Sequence, residues 1–116
     1  MHEISLVRSI FRTLDEHFSA EEVARISAIE LKVGPLANVE PRLMQNAFDA
    51  VVEEDEKRFA AAELRIRLVP ILVQCAGCGQ TTEVHHYRFV CAHCGKPCAN
   101  VVQGNELLIE RVQMRE

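Results

Sequence analysis

Apolar residues recur every three or four positions through the first eighteen residues of the chain. Ile4, Val7, Phe11, Leu14 and Phe18 share one side of a helical wheel, and Ser5, Arg8, Arg12, Asp15 and Glu16 share the other. That spacing predicts an amphipathic helix over residues 2–18. Ser19-Ala20-Glu21-Glu22 has the spacing of a capping box and predicts a short helical turn next. The period then changes from helical to alternating. Ile29, Leu31 and Val33 are interleaved with Glu30 and Lys32, the pattern of a half-buried strand that Gly34-Pro35 ends. Pro41 suits the first position of a second helix, where a missing N–H costs nothing, and Met44, Ala47, Phe48 and Val51 supply its apolar face. The charged run Glu53–Arg58 reads as a solvated helix end and loop. Leu64, Ile66 and Leu68 alternate with Arg65 and Arg67, a second strand that Pro70 closes or confines to an edge.

Beyond Pro70 the pattern is set by cysteine. Cys75-Ala76-Gly77-Cys78 and Cys91-Ala92-His93-Cys94 are two CxxC knuckles separated by twelve residues. A short strand is expected to lead into each, with Thr81–Val90 contributing a hairpin strand between them. Gly104-Asn105 breaks the chain before Leu107-Leu108-Ile109, whose aliphatic run predicts a last strand returning to the earlier two. The expected architecture is therefore α+β. Two helices lie on a small three-stranded sheet built from residues 1–72 and 104–116, with a four-cysteine zinc-ribbon module, residues 73–103, inserted before the final strand.

A CxxC turn points two sulfurs at one ion, and a second turn completes a tetrahedron of thiolates, the closed geometry of a structural zinc site. Gly79 and Gly95 follow the knuckles and allow the tight turn that brings amide hydrogens toward the sulfurs. A redox dithiol would open a helix after a strand and does not come in matched pairs. Two disulfides are the other alternative, and the odd fifth cysteine, Cys98, fits a reducing compartment better. Cys75, Cys78, Cys91 and Cys94 are the predicted zinc ligands. Cys98 is left outside a complete tetrahedron and competes with Cys94 only in a loose module. His93 sits inside a knuckle and is expected to face solvent. His85 and His86 could relay or tune a metal, but adjacent strand residues face opposite ways, so at most one points at a given ion.

At 116 residues the chain makes one domain plus at most a small appendage, and a 48% hydrophobic content supplies a core. Five Phe, one Tyr and no Trp make that core mainly aliphatic. The net charge is −4, and between 73 and 103 the only acid is Glu83 and the only bases are Arg88 and Lys96. A nucleic-acid-binding ribbon would carry a basic stripe and stacking aromatics, so that role, the alternative for a bare zinc ribbon beside protein interaction, is disfavoured. A hydrolytic zinc keeps an open position that four cysteines do not leave, and no Gly-rich phosphate loop or Ser/His/Asp set appears. No enzymatic activity is expected. No stretch approaches a transmembrane helix, and the N-terminus lacks the basic and apolar regions of a secretory signal, which predicts a cytoplasmic protein.

The N-terminus is a second constellation. Met1 removal generally requires a small second residue, and His2 is bulky, so a free Met1 amine is expected to persist. That amine, the His2 backbone nitrogen and His2 Nδ1 can close fused chelate rings on one ion. Nitrogen donors in a plane suit Ni²⁺ or Cu²⁺. A fourth donor must come from elsewhere, the Glu3 backbone nitrogen or a folded-in carboxylate such as Glu40. Without a metal, His2 reads as an exposed polar residue at a helix start and Glu40 as a helix-start acid favoured by the macrodipole.

These residues carry a resemblance. Met1-His2-Glu3-Ile4-Ser5-Leu6 running into an amphipathic helix resembles the opening of the HypA/HybF family of hydrogenase nickel-incorporation proteins. The likeness continues through Glu30-Leu31-Lys32-Val33-Gly34, Glu40-Pro41, Ala47-Phe48 and both knuckles, and ends with Gly104-Asn105-Glu106-Leu107-Leu108-Ile109. It departs at Glu53–Ala62, where charges and alanines replace the family's Gly- and Thr-containing link. The resemblance implies a nickel metallochaperone that helps load Ni²⁺ into [NiFe]-hydrogenase, and in some organisms urease. His2 would carry nickel with backbone atoms of Met1 and Glu3, and the four cysteines would carry structural zinc. The implied partners are the HypB-type GTPase and the hydrogenase large-subunit precursor, with self-association in some relatives.

Overall fold

A computed structural model describes the chain from His2 to Glu116, except for the His2 side chain. Two compact units are present. The first holds the chain up to Leu31 together with Val39–Arg67 and Ile109–Glu116, and the second holds Lys32–Asn38 and Leu68–Leu108.

The first unit contains helices α1 (His2–His17), α2 (Ala20–Ala24) and α3 (Pro41–Glu54). A three-stranded sheet has the order β2-β1-β6, from β1 (Ile26–Val33), β2 (Glu63–Leu68) and β6 (Leu107–Met114). The last strand thus returns beside the first, as the aliphatic run at 107–109 predicts, and extends five residues further to Met114. The α+β expectation of two principal helices on a three-stranded sheet holds, with α2 as a short addition. Ser19 caps α2 by the predicted reciprocal pair: the Glu22 amide donates to Ser19 Oγ at 3.1 Å, and the Ser19 amide donates to Glu22 Oε1 at 2.8 Å. Glu40 is the N-cap of α3, its carboxylate accepting from the Arg42 amide at 2.9 Å. The helix-start reading of Glu40 is therefore realised.

Val7, Ile10, Phe11 and Leu14 of α1 pack with Met44, Ala47, Phe48 and Val51 of α3 in the buried core. The first turn departs from the periodic reading. Ile4 is 39% exposed, while Ile10, outside the predicted face, is buried. The charged loop also hides a core residue. Lys57–Phe59 forms a 3₁₀ turn that buries Phe59, whose ring stacks on Phe11 at a centroid distance of 4.4 Å. Arg8–Asp55 at 2.8 Å and Arg58–Asp15 at 2.6 Å tie the same segment to α1.

The second unit is an antiparallel sheet of order β4-β3-β5, from β3 (Ile71–Gln74), β4 (Thr81–Val84) and β5 (Val101–Gln103). Ile71 pairs with Val84 and Gln74 with Thr81, so the β3–β4 hairpin frames the first knuckle. The second knuckle is framed by a single bridge, Val90 to Pro97, where a strand was expected. The predicted 81–90 strand stops at Val84 because a reverse turn follows, closed by the Arg88 amide on the His85 carbonyl at 3.1 Å. His86 and Tyr87, its central residues, have φ of +56° and +57°, a left-handed conformation that a strand cannot contain.

Gly34 and Gly104 meet backbone to backbone. A Cβ on Gly34 would lie 2.1 Å from the Gly104 carbonyl oxygen. The approach is held by the Gly34 amide on Glu106 O at 2.9 Å and the Leu36 amide on Gly104 O at 2.8 Å. Gly104 itself has φ +136°, reserved in practice for glycine.

Candidate metal centre

The two knuckles are built alike. In the first, the Cys75 amide donates to Gln80 O at 2.9 Å and the Gly79 amide returns to Cys75 O at 2.8 Å. In the second, the Cys91 amide donates to Lys96 O and the Gly95 amide to Cys91 O, both at 2.9 Å. Gly79 and Gly95 have φ of +75° and +78°, which is why each knuckle ends in glycine. Side chains outside the motif reinforce the turns. Thr82 Oγ1 of β4 accepts from the Ala92 amide at 3.1 Å, and Gln74 Nε2 donates to Gly79 O at 3.4 Å. Polar residues on short strands carry no spacing signature, so these two supports are invisible in the sequence.

The four sulfurs converge. All lie within 4.8 Å of one another, with Cys75 Sγ 3.5 Å from Cys94 Sγ and Cys78 Sγ 3.6 Å from Cys91 Sγ. Four thiolates on one tetrahedral ion with metal–sulfur bonds of about 2.3 Å would sit about 3.8 Å apart. The cage therefore has the right size and donor set for a single ion, and each of these close pairs is drawn from opposite knuckles. The donors are graded in acidity before any ion enters. The amides of Cys94 and His93 hold the Cys91 thiol down at about 6, the His93 nitrogen lying 3.4 Å from the sulfur. The Cys78 and Gly77 amides lower Cys75 in the same way. Cys78 is pushed up to about 11. The Gln80 amide favours its thiolate, but lost hydration and hydrogen bonds shared with the Cys91, Cys75 and Cys94 sulfurs outweigh that. Cys94 is likewise raised: the Lys96 amide opposes the shift, while sharing with Cys75 and lost hydration drive it.

Cys75 and Cys91 are buried while Cys78 and Cys94 are exposed, so the cage has an inner and an outer pair. The inner pair packs with Ile71, Val73, Val84 and Cys98. Cys98 is thus a core residue and stands outside the four-sulfur group. The Lys96 side chain passes over Gly77, its Nζ 3.9 Å from where a Cβ there would stand. This sets a cation beside a site that would carry net negative charge once four thiolates bind a divalent ion. His93 is exposed as anticipated, and among the described residues His85 is paired only with Glu83, at 3.6 Å on the surface. Neither joins the cage.

The sequence pointed also to the N-terminal chelate. Met1 and the His2 side chain lie outside the described residues, and Glu3 is half-buried in the first turn of α1.

Residues 1–114 match the family described as "Hydrogenase/urease nickel incorporation, metallochaperone, hypA". The chain belongs to the HypA family. Among its relatives, the hydrogenase maturation factor HypA of Desulfitobacterium hafniense is 31% identical over the full length of both chains. That of Shewanella halifaxensis is 29% identical over 100% of this chain and 99% of its own. A solution structure of a HypA protein superposes with a TM-score of 0.70 at 25% identity, covering 99% of this chain and 97% of that one. The solution structure of the Ni metallochaperone HypA from Helicobacter pylori gives 0.64 at 24% identity over 97% and 96%, a likeness of fold. HypA proteins are metallochaperones and maturation factors, so this chain is not a catalytic enzyme. Among the described residues, no helix is long and apolar enough to cross a membrane.

Proposed function

We propose that this protein carries Ni²⁺ on its N-terminus and delivers it during maturation of [NiFe]-hydrogenase or urease, while Cys75, Cys78, Cys91 and Cys94 hold a structural Zn²⁺. Membership of the nickel-incorporation family over residues 1–114 is the observation that carries the reading. The donor chemistry supports the division of labour. Four soft thiolates closing a tetrahedron suit zinc and leave no open position for a cargo that must come and go. Nickel then belongs on nitrogen donors: the Met1 amine, the His2 backbone nitrogen and His2 imidazole, with the Glu3 backbone nitrogen as a further donor. α1 begins at His2, so the amide nitrogens of its first turn have no intrahelical acceptor and are available to a ligand. Delivery takes place in the cytoplasm, with a HypB-type GTPase and the hydrogenase large-subunit precursor as partners.

Because the chelate uses the terminal amine, adding one residue before Met1 should damage nickel binding nearly as much as His2→Ala. Extension turns the amine into an amide and moves the free terminus away from the imidazole. Zinc should stay bound in both variants. Calorimetry with Ni²⁺ on untagged, extended and His2→Ala proteins is the test, and full-strength binding by the extended protein refutes the terminal chelate.

A further inference from the structure

Within the first unit, the C-terminal end of α3 and the 3₁₀ turn after it enclose a surface groove of about 390 Å³. Its apolar lining comes from Phe48, Val52, Phe59 and Ala62. Asp49 and Glu53, one helical turn apart on α3, stand along one wall and Lys57 on the other. The charges here are not arranged for the stability of this chain alone. Glu53 and Glu54 occupy the last turn of α3, where the helix dipole is already negative, and no basic residue of the helix offsets them there. Asp55 and Glu56 are answered by Arg8 and Arg58, whereas Glu53 and Glu54 have no ion-pair partner among the described residues. Among the described residues the Asp49 carboxylate accepts only from Gln45 Nε2, at 3.3 Å. An apolar groove is thus lined by two α3 carboxylates that form no ion pair among the described residues, not even with Lys57 of the opposite wall.

We propose that this groove docks a cationic segment of a partner protein, which sets an apolar side chain between Val52 and Ala62 and a Lys or Arg against Asp49 and Glu53. The negative helix end adds to the attraction for that cation, and the aliphatic stem of Lys57 gives the far wall an apolar surface. Asymmetry between the two walls fixes the direction in which the segment lies. A second copy of this chain is the weaker occupant, since the net charge of −4 makes two copies repel.

The test is a titration of zinc-loaded, full-length protein with a synthetic peptide of alternating Lys and Leu, followed by amide chemical shifts. A matching Glu/Leu peptide is the control. Shifts concentrated in residues 48–62 and seen only with the cationic peptide are expected. The double variant Asp49→Asn, Glu53→Gln should weaken binding about tenfold. Lys57→Glu should tighten it, a gain that a folding defect cannot mimic. Absence of binding, shifts spread over other surfaces, equal response to the acidic peptide, or the same shifts on concentrating the protein alone would each overturn the proposal.

Discussion

Replacing Gly34 by alanine tests whether the close approach of Gly34 and Gly104 is a structural requirement. The substitution introduces no backbone strain, because Gly34 has φ −99° and ψ 157°, an extended conformation open to any residue. Its cost is steric. The new methyl would lie 2.1 Å from the Gly104 carbonyl oxygen and 2.3 Å from its carbon. Both are backbone atoms and cannot rotate away. Relief requires the segments to part, which stretches the Gly34–Glu106 and Leu36–Gly104 hydrogen bonds of 2.9 and 2.8 Å. Overpacking costs about 1–3 kcal/mol, and each weakened hydrogen bond roughly 1 more. A loss of about 3 kcal/mol is expected, equivalent to a fall of about 2 M in the urea midpoint for a chain of this size. Gly79→Ala is the informative comparison. A Cβ there meets nothing within 4 Å, so only its φ of +75° is penalised, for about 1 kcal/mol. Urea unfolding of both zinc-loaded variants, followed by circular dichroism, measures the difference. Should Gly34→Ala cost no more than Gly79→Ala, the approach is loose and the steric reasoning fails.

Cys75→Ala or Cys94→Ala should abolish tight binding of one zinc per chain and melt residues 73–103, because that stretch has too little apolar content to hold itself together. Amide spectra should show the Phe11–Phe48–Phe59 core still folded in these variants. Because metal binding folds this module, zinc added to the metal-free protein at neutral pH should displace protons from all four cysteines, whose thiols in a melted chain titrate at about 8.5, measurable by calorimetry in buffers of different ionisation enthalpy. Ser19→Ala should cost about 1 kcal/mol through loss of the α2 cap. Since the Ser19 hydrogen bonds lower the folded pKa of Glu22, their contribution is present above the unfolded carboxylate value and fades on acidification. The Ser19 backbone amide, the larger of these bonds, survives in Ser19→Ala, and the lost bond from the Glu22 amide to Ser19 Oγ does not titrate, so the wild-type and Ser19→Ala stability curves should fall in parallel on acidification and stay apart at low pH.

Features that local chemistry can write were legible in the chain from the start. Two CxxC turns ending in glycine name their ligands because thiolates three residues apart, followed by a left-handed residue, already form half a tetrahedron. The periodicity of α1, the Ser19-x-x-Glu22 box and Pro41 at the head of α3 likewise place elements through interactions spanning only a few residues. Most of the failures lie where distant segments decide. Phe59 directly follows the run Glu53–Arg58 that reads as solvated, yet it is core because Phe11, far earlier in the chain, offers a ring to stack on. Ile4 satisfies the helical period but lies too near the start of α1 to be covered. One failure is local: the strand expected through His85–Val90 gives way to the reverse turn His85–Arg88, whose central residues take positive φ. Long-range folding also chose the order β2-β1-β6, brought Gly34 against Gly104 and set Cys98 in the core. Each of these depends on which backbone amides and apolar surfaces arrive from far along the chain, and a short window of sequence holds no record of them.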